Sequence, residues 1–183
     1  MTGRSTVERA LARVGTRAYV RNMKPGEHPD FYRLAPPPGT SRESTIRLDA
    51  EGKFWHDGER VDHPALERAL HEWIALHPDN GRYILTNGYD WTYFQVDDAP
   101  YIVRAIHVKP DGVTLVLSDQ TEESLVPETL RVGAADALYA KVKGGRMTAR
   151  FSRHAQTSLA PILREDKPGA LRLTVAGRDY PIG

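Results

Sequence analysis

Asp97 and Asp98 are adjacent carboxylates in the segment Phe94-Gln-Val-Asp-Asp-Ala-Pro-Tyr101. Such a pair can hold a hard cation, or divide acid and base roles in a hydrolysis. Neighbours on a strand point to opposite sides, so the two share a site only if the chain bends there. Asp-Asp-Ala-Pro is equally the composition of a turn in which one Asp bonds its own backbone, and that structural reading is the favoured one. The seven histidines (28, 56, 63, 71, 77, 107 and 154) include no pair at i, i+4, so no metal site is expected. Gly144-Gly145-Arg146 is a glycine pair in basic company that could touch phosphate, but it reads first as a hairpin turn. No P-loop, nucleophile elbow or dinucleotide fingerprint is present. Aromatic residues concentrate at Trp55, Trp91, Tyr93, Phe94 and Tyr101, of which all but Phe94 enter the expected binding set. Core packing explains any one of them. A set lining a cleft would make an apolar pocket, with Asp98, Arg104, Arg150 and His154 as polar orienters. Those eight residues are the expected ligand-binding set, with no catalytic residue, cofactor or metal among the expectations.

Composition limits the partners. Lys plus Arg number 25 and Asp plus Glu 24, so bulk charge selects none. The distribution is uneven: residues 1–50 hold nine basic and five acidic side chains, leaving 16 and 19 for the rest. The absence of cysteine excludes disulfides, thiolate catalysis and Cys-ligated zinc. No apolar run approaches the ~18 residues of a membrane span, and the N-terminus lacks a signal-peptide core. The expectation is a soluble, cytoplasmic protein.

The elements that would position these residues follow from periodicity. Residues 1–44 read as an appendage. Ser5-Thr-Val-Glu8 is a capping-box pattern opening a helix whose Arg9, Arg13, Arg17 and Arg21 form a basic stripe able to meet an anionic surface. A Pro-rich arm follows, pinned by Phe31, Tyr32 and Leu34. Short strands are expected at 46–48 and 53–56. A helix is expected from Pro64 to Leu76, burying Ala65, Leu66, Ala69, Leu70, Trp73 and Ile74 and turning Glu67, Arg68, His71 and Glu72 mostly away. A four-stranded antiparallel meander is expected at 82–86, 89–96, 101–108 and 113–117, with Asn87-Gly88 as a two-residue turn. Beyond acidic loops, strands are expected at 138–142 and 147–151, a helix at 153–164, and a closing hairpin at 171–175 and 179–182.

The order strand, turn, strand, helix, strand occurs over residues 53–86 and again over 146–174, which suggests an internal duplication. His63 and His154 would then open equivalent helices. The matching segments are Glu51-Gly-Lys-Phe-Trp55 with Gly58, Pro64-Ala-Leu66, Tyr83-Ile-Leu-Thr86, Phe94–Tyr101, Tyr139-Ala-Lys-Val142 and Met147-Thr-Ala-Arg-Phe151. On these the chain resembles a bacterial family called domain of unknown function 1285, from about Thr45 to the C-terminus. Its first 45 residues and Asn87–Trp91 depart from that pattern. The resemblance implies a duplicated two-lobed α+β fold, with the second lobe like a pleckstrin-homology half barrel. It also implies a ligand-binding or signalling role.

The resulting division is an N-terminal basic helix and Pro-rich arm (1–44), a first α+β lobe (45–100) and a second (101–183). The expected function is non-enzymatic binding of a small molecule or protein partner in the groove between lobes, in a regulatory or signalling capacity. The alternatives are a hydrolase using Asp98 with a histidine, or a nucleic-acid or membrane-surface binder working through the Arg9–Arg21 stripe.

Overall fold

A computed structural model describes residues 24–167 and 169–183, so the Ser5–Glu8 cap and the Arg9–Arg21 stripe lie outside the described residues. Six short strands form the first sheet: β1 (Glu43–Leu48), β2 (Phe54–His56), β3 (Glu59–Arg60), β4 (Ile74–Leu76), β5 (Tyr83–Thr86) and β6 (Trp91–Val96). Helix α1 (Pro64–Glu72) lies between β3 and β4 in the chain. Six more form the second: β7 (Tyr101–Lys109), β8 (Gly112–Leu117), β9 (Glu122–Ser124), β10 (Arg131–Val132), β11 (Leu138–Val142) and β12 (Met147–Phe151). Helix α2 (Arg153–Leu159) packs on β7 and β12. A small third sheet, β13 (Leu163–Lys167), β14 (Ala170–Val175) and β15 (Arg178–Pro181), closes the chain. The architecture is α+β.

The strand orders are β3-β2-β1-β6-β5-β4 and β10-β11-β12-β7-β8-β9. Each sheet therefore joins two three-strand meanders through the first strand of one and the last strand of the other. In the second sheet that join is parallel, with Ala149 opposite Tyr101 and Phe151 opposite Val103. In the first, Tyr93 N–H donates to Arg42 O and Asp97 N–H to Leu48 O, so the bonds advance in the same sense. The sequence-expected phase differs from this one: strand, strand, helix, strand does recur as β2-β3-α1-β4 and β11-β12-α2-β13, but β13 belongs to the third sheet.

The expected four-strand meander is divided. β5 and β6 end the first sheet, β7 and β8 begin the second, and Asp97–Pro100 carries the chain across. Proline offers no N–H to continue a ladder and holds the residue before it extended. Both Ala99 and Pro100 are buried, which fixes the corner. The turn at Asn87-Gly88 is a four-residue loop rather than a two-residue one. Asn87 Oδ1 accepts from Tyr89 N–H and Asp90 N–H, both at 2.9 Å, and Thr86 stands opposite Trp91.

Among the described residues two compact units are present: 24–44 with Ala75–Phe94, and Thr45–Ile74 with Gln95–Gly183. Within the first, Phe31, Ile84 and Trp91 form a core, with Tyr32 and Tyr93 packed against it. The arm is thus pinned by Phe31 and Tyr32, while Leu34 stays exposed. Within the second, Leu48, Phe54, Val103, Leu115, Leu117, Phe151 and Leu159 are fully enclosed.

Both helices depart from expectation. α1 buries Leu70 and His71 and leaves Leu66 43% exposed, so its inward face is rotated toward the polar side. The cause is a pair of polar contacts: Glu67 Oε1 lies 3.0 Å from Lys53 Nζ, and His71 Nε2 lies 3.2 Å from Gly52 O. α2 ends at Leu159, where Ala160-Pro161-Ile162 makes a single 3-10 turn. The two histidines are not equivalent. His63 caps α1 by accepting from Leu66 N–H, whereas Ser152 caps α2 and His154 is exposed in its first turn.

Candidate functional site

The turn between β1 and β2 is where the site begins. Asp49 Oδ1 accepts from the backbone N–H of Glu51 (3.0 Å) and Lys53 (2.8 Å), and its Oδ2 from Trp55 Nε1–H (2.7 Å). One carboxylate thus closes a tight turn and fixes a tryptophan. Gly52 sits at φ +76°, and a Cβ there would overlap the Cγ1 of Ile102 on β7. This conformation and this proximity both require glycine. Close approach brings the Gly52 carbonyl to His71, and Ala50 O to Arg150 Nη1 at 3.1 Å.

Beside this turn lies a pocket of about 270 Å³, lined entirely by the second unit. Pro64, Glu67, Arg68 and His71 contribute from α1, at spacings of three, four and seven that define one helical face. Lys53 comes from the turn, Arg104 from β7, and Ser118 and Gln120 from the end of β8. Arg104 is there because β7 bulges. The ladder pairs Val103 with Leu117 and Ala105 with Val116, so Arg104 is the extra residue. A bulge twists the strand and re-aims its side chain, a device common beside functional sites.

The pocket's electrostatics are set by few groups. Lys53 and Glu67 neutralise each other, and neither Arg68 nor Arg104 has a carboxylate partner among the described residues. His71 is 1% exposed. Its Nε2 faces a carbonyl and so carries the proton, which leaves Nδ1 as an acceptor with no donor. Burial first, then the positive charge of Arg104, pushes the imidazole down to about 4, against weaker upward pulls from Gly52 O, Glu67 and Asp119. The ring is neutral near pH 7. Asp119, beside Ser118, is held below its ordinary value by Lys143 and Thr121 despite the opposing effect of burial, with Lys143 Nζ 2.7 Å away. Ser118 Oγ accepts from Ile102 N–H at 3.2 Å, which leaves its own proton free to donate.

The sequence-expected set is distributed as follows. Trp91 and Tyr93 belong to the first unit. Trp91 is buried at 6% exposure, with the Arg42 guanidinium 4.5 Å above its ring. Tyr93 carries Arg82 at 3.7 Å over its face, and its hydroxyl accepts from Asn80 Nδ2. The other six belong to the second unit, where Asp98 and Arg150 are brought together. Asp98 accepts from Tyr139 O–H (2.9 and 3.1 Å) and from Arg150 Nη1 (3.2 Å). Asp97 pairs with Arg47 and accepts from Gln95 Nε2. Both aspartates therefore make long-range ties, and neither closes a local turn. Tyr101 is 3% exposed and its hydroxyl donates to Ile74 O, with burial raising its pKa. Only Arg104 of the eight lines the pocket. Lys53, Glu67, Arg68, His71 and Ser118 were not expected there; the polar i, i+3, i+4, i+7 face of α1 was the available signal. Among the described residues no group of three His, Asp or Glu could hold a metal ion. No helix among them is long and apolar enough to cross a membrane.

A two-lobed α+β protein with two six-stranded sheets of one strand order and a helix-flanked pocket is the class defined so far. That fold is shared with solved proteins of the DUF1285 family. One, from Silicibacter pomeroyi, superposes with a TM-score of 0.61 at 18% identity, covering 82% of this chain and 91% of its own. Another, from Shewanella baltica, gives 0.53 at 15% identity, covering 66% and 94%. No protein-family model matches the sequence, and no curated protein does.

Proposed function

We propose that the protein is a non-enzymatic, cytoplasmic ligand-binding regulator whose small-molecule site is the pocket between α1 and the β7–β8 pair of the second sheet. The observation that carries this reading is the buried His71 nitrogen left without a donor at a pocket into which a strand bulge directs Arg104. A buried polar atom without a partner costs about 1–3 kcal/mol, and a ligand donor or an ordered water would offset it. The commitment of Asp98 to Tyr139 and Arg150 supports binding over hydrolysis, because its oxygens already serve as acceptors for two donors. The finer structural readings belong to the same proposal. The repeated strand order supports a duplication, and α2 packed on β7 and β12 supports the half-barrel reading of the second lobe.

A thermal-shift screen with neutral, cationic and anionic metabolites tests the reading. At least one compound is expected to raise the melting temperature of the protein, and to leave Pro64→Trp, which fills the pocket from an exposed helix start, unshifted. A hit that shifts Pro64→Trp equally would place binding elsewhere.

A further inference from the structure

We infer that this pocket takes a compact dianion, a phosphate monoester or a small dicarboxylate, held by the guanidinium groups of Arg68 and Arg104. The inference rests on the pocket being a ligand site, and it adds the ligand's charge and size. Of the ionised groups in the lining, Lys53 and Glu67 lie 3.0 Å apart and cancel. Arg68 and Arg104 remain, and among the described residues neither is paired with a carboxylate. Asp119, between the lining residues Ser118 and Gln120 in the chain, is already paired with Lys143 at 2.7 Å. His71 adds no charge, since its Nε2 proton is committed to Gly52 O in a buried position; its Nδ1 lone pair is met by a donor other than the anionic group, a ligand hydroxyl or a water. Two positive charges, both on exposed side chains, are therefore left without a carboxylate at the pocket, where a ligand of two negative charges balances them.

The donor chemistry agrees. A guanidinium presents a planar fork of N–H groups that matches carboxylate or phosphate oxygens two at a time. Ser118 supplies a hydroxyl proton, its oxygen already accepting from Ile102 N–H. The volume, about 270 Å³, has room for a few-carbon anion. The geometry of Arg104 reinforces the assignment. A plain antiparallel register would have paired this residue across the ladder, and the bulge instead releases it to the pocket.

Isothermal titration calorimetry with glycerol 3-phosphate, succinate, inorganic phosphate and the neutral control glycerol tests this on the full chain. Glycerol 3-phosphate or succinate is expected to bind and glycerol not to, and which of the two binds identifies the source of the anion. Arg68→Gln and Arg104→Gln are each expected to weaken binding about ten-fold or more. Arg68 is exposed, so thermal melts of its variant should match the parent. Glu67→Gln removes the lone lining carboxylate and frees Lys53, and is expected to tighten binding. Dianion affinity unchanged in the Arg68→Gln, Arg104→Gln double variant overturns the inference. A neutral compound that binds, is blocked by Pro64→Trp and ignores the arginine variants leaves the ligand site standing but sinks its charge class. Failure of every compound, in this titration and in the screen, sinks both.

Discussion

At His71 five influences act on one imidazole. Enclosure and the Arg104 charge favour the neutral ring, while Glu67, Asp119 and the Gly52 carbonyl favour the cation, and the first two prevail. The folded pKa of about 4 lies below the unfolded value near 6.5. Between those values the unfolded chain holds a proton that the folded chain lacks. Stability is therefore complete above about pH 6.5, falls as pH drops toward about 4, and levels off below that. The shift corresponds to about 3 kcal/mol at most, a large share of a marginal folding free energy. Urea unfolding between pH 4 and 8 is expected to show this slope, and His71→Gln, which keeps a donor for Gly52 O, is expected to flatten it. An unchanged slope in the variant would assign the acid sensitivity to the carboxylates. None of this was legible beforehand. On the helix surface His71 sits among Glu67, Arg68 and Glu72, and nothing local says that a glycine carbonyl nineteen residues earlier will draw it inward.

The elements hold the site through one turn. Asp49 organises it, Gly52 lets it approach β7, and the carbonyls of Ala50 and Gly52 reach Arg150 and His71. Gly52→Ala must adopt a left-handed conformation, costing about 1 kcal/mol, and must also displace the buried Ile102 side chain. A destabilisation of about 2–4 kcal/mol is expected in denaturant titration, partly recovered by adding Ile102→Val and weakening any pocket ligand. Strict additivity of the two substitutions in a double-mutant cycle would show that the close approach is not what requires glycine. The elements themselves were largely legible. β-branched and aromatic runs located β5 to β8, Pro64 located the start of α1, and Asp-Ala-Pro located a corner. What escaped was pairing. A period of two says which side chains share a face, but not which strand lies alongside, so the β7–β8 hairpin looked like the continuation of β5–β6. The inward side of α1 escaped for a related reason: its apolar stripe is short, and two polar tertiary contacts outweighed it.

For the whole molecule, the two sheets have one strand order, and the fold recurs in solved structures at 18% and 15% identity. In the second sheet that pattern has a physical centre. β7 pairs locally with β8 across a two-residue turn and also, in parallel, with β12 some forty-eight positions away, so every other strand of the sheet is anchored through β7. Tyr101, Ile102 and Val103 at its start are all buried, and α2 covers the strand. The third sheet differs: β13 and β15 are mostly exposed, and within it burial concentrates in Leu173 and Val175. Opening free energy follows buried contacts and range from near zero to the global value. Native-state hydrogen exchange is therefore expected to place the amides of β7, β11 and β12 in the slowest class, opening only with global unfolding. Amides of β13 and β15 are expected to exchange through local opening, with little dependence on low denaturant. If β13–β15 proved as protected as β7, the small sheet would be part of the cooperative centre.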